Sequence, residues 1–214
     1  MDIKIDRNKK IKDVEPIEVS GGGWDISGEK IFEFIEEPLL NSVKNLYDKN
    51  IETNMSSANR KNIGDYAYIQ IFSKFLSEDN LRTLQLLAGN FPEKIEFCDD
   101  KWIGSYFNLK MSPITAETTV GEINDFFEDM IRGLKLQDVK RDLFDTLDDV
   151  KDFCKSFVCS EDITEEEFKI YMKELGIVEY EGHYYRSEET LRRHLVYMES
   201  LQEPDKSIHQ TLDE

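Results

Sequence analysis

Trp102 to Leu134 reads WIGSYFNLKMSPITAETTVGEINDFFEDMIRGL, and a change of period inside this stretch decides the fold class. In its first part Ile103, Ser105, Phe107, Leu109 and Met111 fall on one side of the chain, and Tyr106, Asn108 and Lys110 on the other. A period of two belongs to a strand with one face on a core. Pro113 ends that pattern. Beyond it Ile123, Phe126, Phe127, Met130, Ile131 and Leu134 recur three and four residues apart, as on one face of a helix. Thr119 and Glu122 precede the stripe at capping-box spacing. There, hydroxyl and carboxylate each satisfy a backbone N–H that the first turn leaves without a partner. Strand chemistry followed so closely by helix chemistry predicts an α+β fold.

Upstream, Ile95 and Phe97 before Asp99-Asp100 predict a strand forming a hairpin with Trp102 to Met111. Ser77 can cap a helix through Leu81, Leu84 and Leu87, with Gly89 as its stop. Ile51 to Met55 and Tyr66 to Phe72 read as further strands. Pro38 suits the first turn of a helix carrying Leu39, Leu40, Val43 and Leu46. A shorter helical piece is expected after Ser27, behind the flexible break Ser20-Gly21-Gly22-Gly23.

Downstream, a long helix is expected from Gln137 to Phe157, burying Val139, Leu143, Leu147, Val150 and Cys154. Thr164 and Glu167 repeat the capping box, and Gly176 closes the helix they open. Ile177 to Tyr185 reads as a small hairpin turned at Glu181-Gly182, and Ser187 opens a last helix. The expected organisation is a mixed part over 1–112, with short antiparallel strands and helices, then a mostly helical part with a small hairpin over 113–203. A tail follows over 204–214, and one compact domain is the alternative.

Charge narrows the function classes. The 214 residues carry 45 acidic and 27 basic side chains, a net −18. Such a surface repels nucleic acid and anionic membranes and attracts basic proteins, in a way that salt weakens. Although only 39% of residues are hydrophobic, 13 Phe and 9 Tyr bury enough area per side chain to supply a core. Cys98, Cys154 and Cys159 are odd in number and lack framework spacing, no apolar leader follows Met1, and no run approaches a membrane span. Reduced thiols in the cytoplasm are expected.

Familiar catalytic and cofactor patterns fail on inspection. Gly23 and Gly28 have the P-loop interval, but Glu29 stands where lysine is needed and would repel phosphate. Cys154 and Cys159 are five apart, not the two-residue gap of zinc or redox pairs. His183, His194 and His209 lack helical metal-site spacing. No metal, no cofactor and no catalytic set are therefore expected. Ser56, Ser57, Asn59 and Arg60 form the most polar loop between two expected strands and are the alternative: a small-molecule or phosphate site of a small enzyme or ligand-binding domain. Ser and Asn also build such loops for purely local reasons.

The informative pattern is acidic. On the expected long helix Asp138, Asp142, Asp145, Asp149 and Asp152 are spaced four, three, four and three, which places them within about 80° of arc. Glu165 and Glu166 extend the negative surface. Carboxylates on neighbouring turns lie roughly 5–6 Å apart, close to the phosphate repeat of a nucleic-acid strand. The expectation is a non-catalytic interaction module or inhibitor that docks a carboxylate-rich helical face on a basic protein, a nucleic-acid-binding one among the options, itself binding neither nucleic acid nor membrane. A helix, hairpin and helix over Glu165 to Leu201 also have the order of a winged-helix fragment. Its opening glutamates suit protein contact and not DNA.

Overall fold

The computed structural model describes residues 4–15, 17, 34–58, 65–102, 104–140, 143–144, 146–158 and 164–202. Among them are six α-helices and two antiparallel sheets, an α+β fold. The chain divides into two compact units, Met1–Gln137 and Asp138–Glu214. The division lies beyond the change of character at Pro113, because the helix after that proline packs on the first sheet.

The first unit is built on strands β1 (Thr53–Ser57), β2 (Ala67–Phe72), β3 (Ile95–Asp100) and β4 (Gly104–Met111), ordered β1-β2-β4-β3. Register places Ile69 against Leu109 against Ile95, and Ile71 against Phe107 against Phe97. Side chains alternate across a strand, so these residues share one face. Helices α1 (Leu40–Asp48), α2 (Glu78–Asn90) and α3 (Val120–Ile131) cover that face with Leu40, Val43, Leu46, Leu84, Ile123 and Phe127. Each fully buried aliphatic or Phe side chain contributes about 1.5–3 kcal/mol.

Local chemistry sets the helix ends. The turn Glu37–Leu39, with its proline, leads into α1. Asn50 adopts a positive φ just past α1, where its N–H donates to Tyr47 and that of Ile51 to Leu46, a Schellman closure. Ser77 caps α2, but Gly89 lies inside that helix, which runs on to Asn90. Its φ is ordinary and no atom crowds it, so nothing there requires a stop. The expected Ser27 helix and its glycine-rich break fall outside the described residues.

The Thr119–Glu122 capping box forms as read, with Thr119 Oγ1 accepting from Glu122 N and the Glu122 carboxylate accepting from Thr119 N. Those contacts from the Thr119 backbone and hydroxyl hold the Glu122 carboxyl below its ordinary range. Its folded value therefore lies below its unfolded one. The stabilisation is fully present above the unfolded value and is lost as pH falls through the folded one. Thr119→Ala is expected to lower stability by roughly 1 kcal/mol. Urea denaturation at neutral pH and again in mild acid will show that loss shrinking in acid.

The second unit holds β5 (Leu143–Phe144), β6 (Val178–Tyr180) and β7 (His183–Tyr185), ordered β5-β7-β6, with α4 (Leu147–Val158), α5 (Glu165–Glu174) and α6 (Glu188–Gln202). Its core gathers Val150 and Cys154 of α4, Phe168 of α5 and Ile177. Glu181 and Gly182 both take positive φ, as a two-residue primed turn requires. Gly176, at φ 72°, closes α5 by a second Schellman arrangement, with Ile177 N donating to Met172 O.

One expectation is corrected. Gln137 to Phe157 is not one helix. Residues 138–140 belong to no helix or strand, Leu143–Phe144 pairs with Tyr185 and Tyr184 of the hairpin, and α4 begins at Leu147. Thr146 provides the start signal. Its hydroxyl accepts from Asp149 N while the Asp149 carboxylate accepts from Thr146 N, a capping pair that interrupts any helix arriving from upstream.

Candidate functional site

Breaking that helix breaks the aspartate file. Asp138 leaves it altogether and sits 2.8 Å from Nδ1 of His194 on α6, a ring packed at a tilt against buried Tyr185. Asp142 and Asp145 lie outside the described residues. Asp149 and Asp152 remain on α4, and Glu165 and Glu166 open α5.

Their roles differ. Asp149 is committed to the cap of α4, and Glu167 to the cap of α5, where the Thr164 hydroxyl and N–H hold its carboxyl below the ordinary range. Asp152 is 77% exposed and stands 3.5 Å from Lys155. Asp148, absent from the expected file, is 90% exposed and only loosely paired with Lys151 at 3.9 Å. Lysines are thus interleaved along α4, each engaging an aspartate three residues before it. Exposed pairs of this kind contribute little. Glu165 and Glu166 are exposed and make no hydrogen bond or ion pair with the described residues. A sequence search for i,i+3 and i,i+4 charge pairs would have found the α4 neutralisation.

The negative charge is unevenly shared between the units. Residues 138–214 hold 21 acidic and 10 basic side chains, −11 of the chain's −18. An open cleft of about 500 Å³ beside these helices has an apolar floor of Phe168, Met172 and Ile177, and Lys151, Lys169 and Glu165 stand among its other walls.

Reactive constellations are not assembled among the described residues. Burial pushes the thiols of Cys98 and Cys154 up, away from the thiolate that chemistry needs. His194 has its carboxylate partner, yet no described hydroxyl or thiol bonds its other ring nitrogen. No group of three His, Cys, Asp or Glu able to hold a metal occurs among the described residues. No described helix is long and apolar enough to cross a membrane.

The polar loop is also redrawn. Ser56 and Ser57 belong to β1, half-buried and paired with Ile69 and Tyr68, while Asn59 and Arg60 fall outside the described residues. The Cα register slips between Thr53 and Ser56, the mark of a bulge. No known protein family, curated protein or solved structure matches the chain.

Proposed function

We propose that the 138–214 unit is a non-catalytic interaction module that docks an acidic helical surface on a basic protein, in the manner of an inhibitor occupying a nucleic-acid-binding groove. The observation that carries this reading is the concentration of net charge there, −11 of −18, with Glu165 and Glu166 exposed and unengaged by described residues. Connectivity supports it. Strand, helix, helix and hairpin, with β5 paired on the second hairpin strand, follow the order of a winged helix. In that arrangement α5 is the helix that would enter a nucleic-acid groove. Phosphate neutralisation dominates such binding, and a helix opening with three glutamates does the reverse. Its natural complement is a basic protein surface.

The test compares the native chain with a Asp148→Asn/Asp152→Asn/Glu165→Gln/Glu166→Gln variant, which spares both capping acids. The expected result is a stoichiometric basic partner retained from lysate by the native chain at low salt, released by modest salt, and lost with the variant. Equal retention by the two proteins, or no retained partner, would refute the reading.

A further inference from the structure

The first sheet ends in an open strand edge, remote in sequence from the acidic helices. Strand β3 lies at one edge of the order β1-β2-β4-β3. Lys110 N donates to Lys94 O at 2.7 Å, which makes that pair hydrogen-bonded across β3 and β4. Antiparallel pairs alternate, so Glu96, Cys98 and Asp100 turn their backbone groups toward β4. Ile95, Phe97 and Asp99 turn theirs away. Ser73 N donating to Ser105 O on the far side of β4 fixes the same phase independently. Ile95 N is satisfied by Phe91 O, but the N–H and C=O groups of Phe97 and Asp99 have no partner among the described residues.

Two large apolar side chains accompany that open edge. Phe97 is 53% exposed beside Phe107, and Trp102, at the turn joining β3 to β4, is 95% exposed. Around them stand Glu96, Asp99 and Asp100; Glu96 is ion-paired with Lys110 at 2.7 Å, while Asp99 accepts from Ser105 Oγ and Asp100 from Trp102 N, and both keep their negative charge. Edge strands are commonly guarded by charge, and these acids do repel a second copy of the same edge. Guarding does not account for a half-exposed Phe and a fully exposed Trp, the residue types that anchor interfaces.

We propose that β3 accepts an extended segment of a partner protein as a fifth strand, with lysine or arginine opposite Glu96, Asp99 and Asp100 and an apolar residue opposite Phe97. Backbone hydrogen bonds to Phe97 and Asp99 supply the pairing, and side-chain charge selects a basic strand over an acidic one.

The test uses the full chain and the peptide acetyl-Lys-Lys-Thr-Val-Lys-Val-Thr-amide, which in antiparallel register sets its first valine opposite Phe97. Nitrogen-15 spectra and amide exchange are recorded, together with two control peptides. One carries N-methyl on that valine and the other has glutamate in place of every lysine. The expected result is slowed exchange and shifted resonances at the Phe97 and Asp99 amides and at the Trp102 indole. Affinity should fall about tenfold or more with N-methylation and vanish with glutamate. Equal binding of the N-methylated peptide, shifts confined to the 138–214 unit, or no shift at millimolar peptide would each overturn the proposal. The quadruple helix variant leaves β3 untouched, so failure here and failure of the acidic-helix reading are separable.

Discussion

Gln137→Ala is expected to lower folding stability by about 4 kcal/mol, a loss at the upper end for one side chain. Gln137 is 3% exposed and uses its whole hydrogen-bonding capacity. Its Nε2 donates to Asn50 O and Phe75 O at 3.1 and 2.7 Å, and its Oε1 accepts from Ser77 N and Asn80 Nδ2 at 2.8 and 2.9 Å. Asn50 Nδ2 returns a bond to Gln137 O, and the Asn80 amide pairs with both backbone groups of Lys135. Truncation leaves two carbonyls, one N–H and one amide short of partners in a buried site, each at roughly 1–3 kcal/mol before water relieves part of it. Guanidinium denaturation measures the loss, and a value under about 1 kcal/mol would show that the network does not hold the segment. Gln137→Glu keeps the shape but sets an acceptor against two carbonyls. Burial without a positive partner raises the folded pKa of the new carboxyl above its unfolded value. That variant should lose stability as pH rises from the unfolded pKa to the folded one, with no further loss above it.

Gly121→Ala is expected to destabilise by about 2 kcal/mol, against the usual helix preference for alanine. Gly121 sits in the first turn of α3, and a Cβ there would meet Arg7 O at 2.8 Å and Arg7 Cβ at 3.1 Å. The carbonyl cannot swing aside cheaply, since it accepts from Gly121 N at 2.9 Å within a series of contacts that joins residues 7–11 to the start of α3. Val120 N donates to Lys9 O, Ile11 N donates to Thr118 O, and Lys10 bridges Thr119. Fully buried Ile11 depends on that seam. The control is Gly89→Ala at an exposed position of α2, where no atom lies within 4 Å of the new Cβ. It should stabilise by about 0.5–1 kcal/mol. Opposite signs for two helical glycines, read by thermal and denaturant unfolding, separate close backbone approach from intrinsic propensity. Equal signs would refute the proposed contact.

Both predictions turn on residues that the sequence did not single out. Gln137 read as the opening of a helix, and Gly121 as an unremarked member of one. Their partners lie far away in the chain, Asn50 and Asn80 for the first and Arg7 for the second. The candidate site shows the same split. Glu165 and Glu166 stand where the Thr164 cap placed them, whereas Asp138 lies outside α4 and pairs with His194, on an element with no sequence link to it.

What the sequence determined by itself were features whose physics spans a few residues. Capping boxes at Thr119 and Thr164, the turn at Glu181-Gly182 and the alternation along β4 are of this kind. In each, the groups that satisfy one another are near neighbours, so spacing alone specifies the contact. Only the tertiary structure decided that Leu143–Phe144 is a strand. Two half-buried apolar residues fit a helix stripe equally well until Tyr184 and Tyr185 offer them a backbone ladder. It likewise decided that the backbone groups of Phe97 and Asp99 point to the open edge of β3. Edge position follows from strand order, and strand order is set by packing among segments that are distant in sequence.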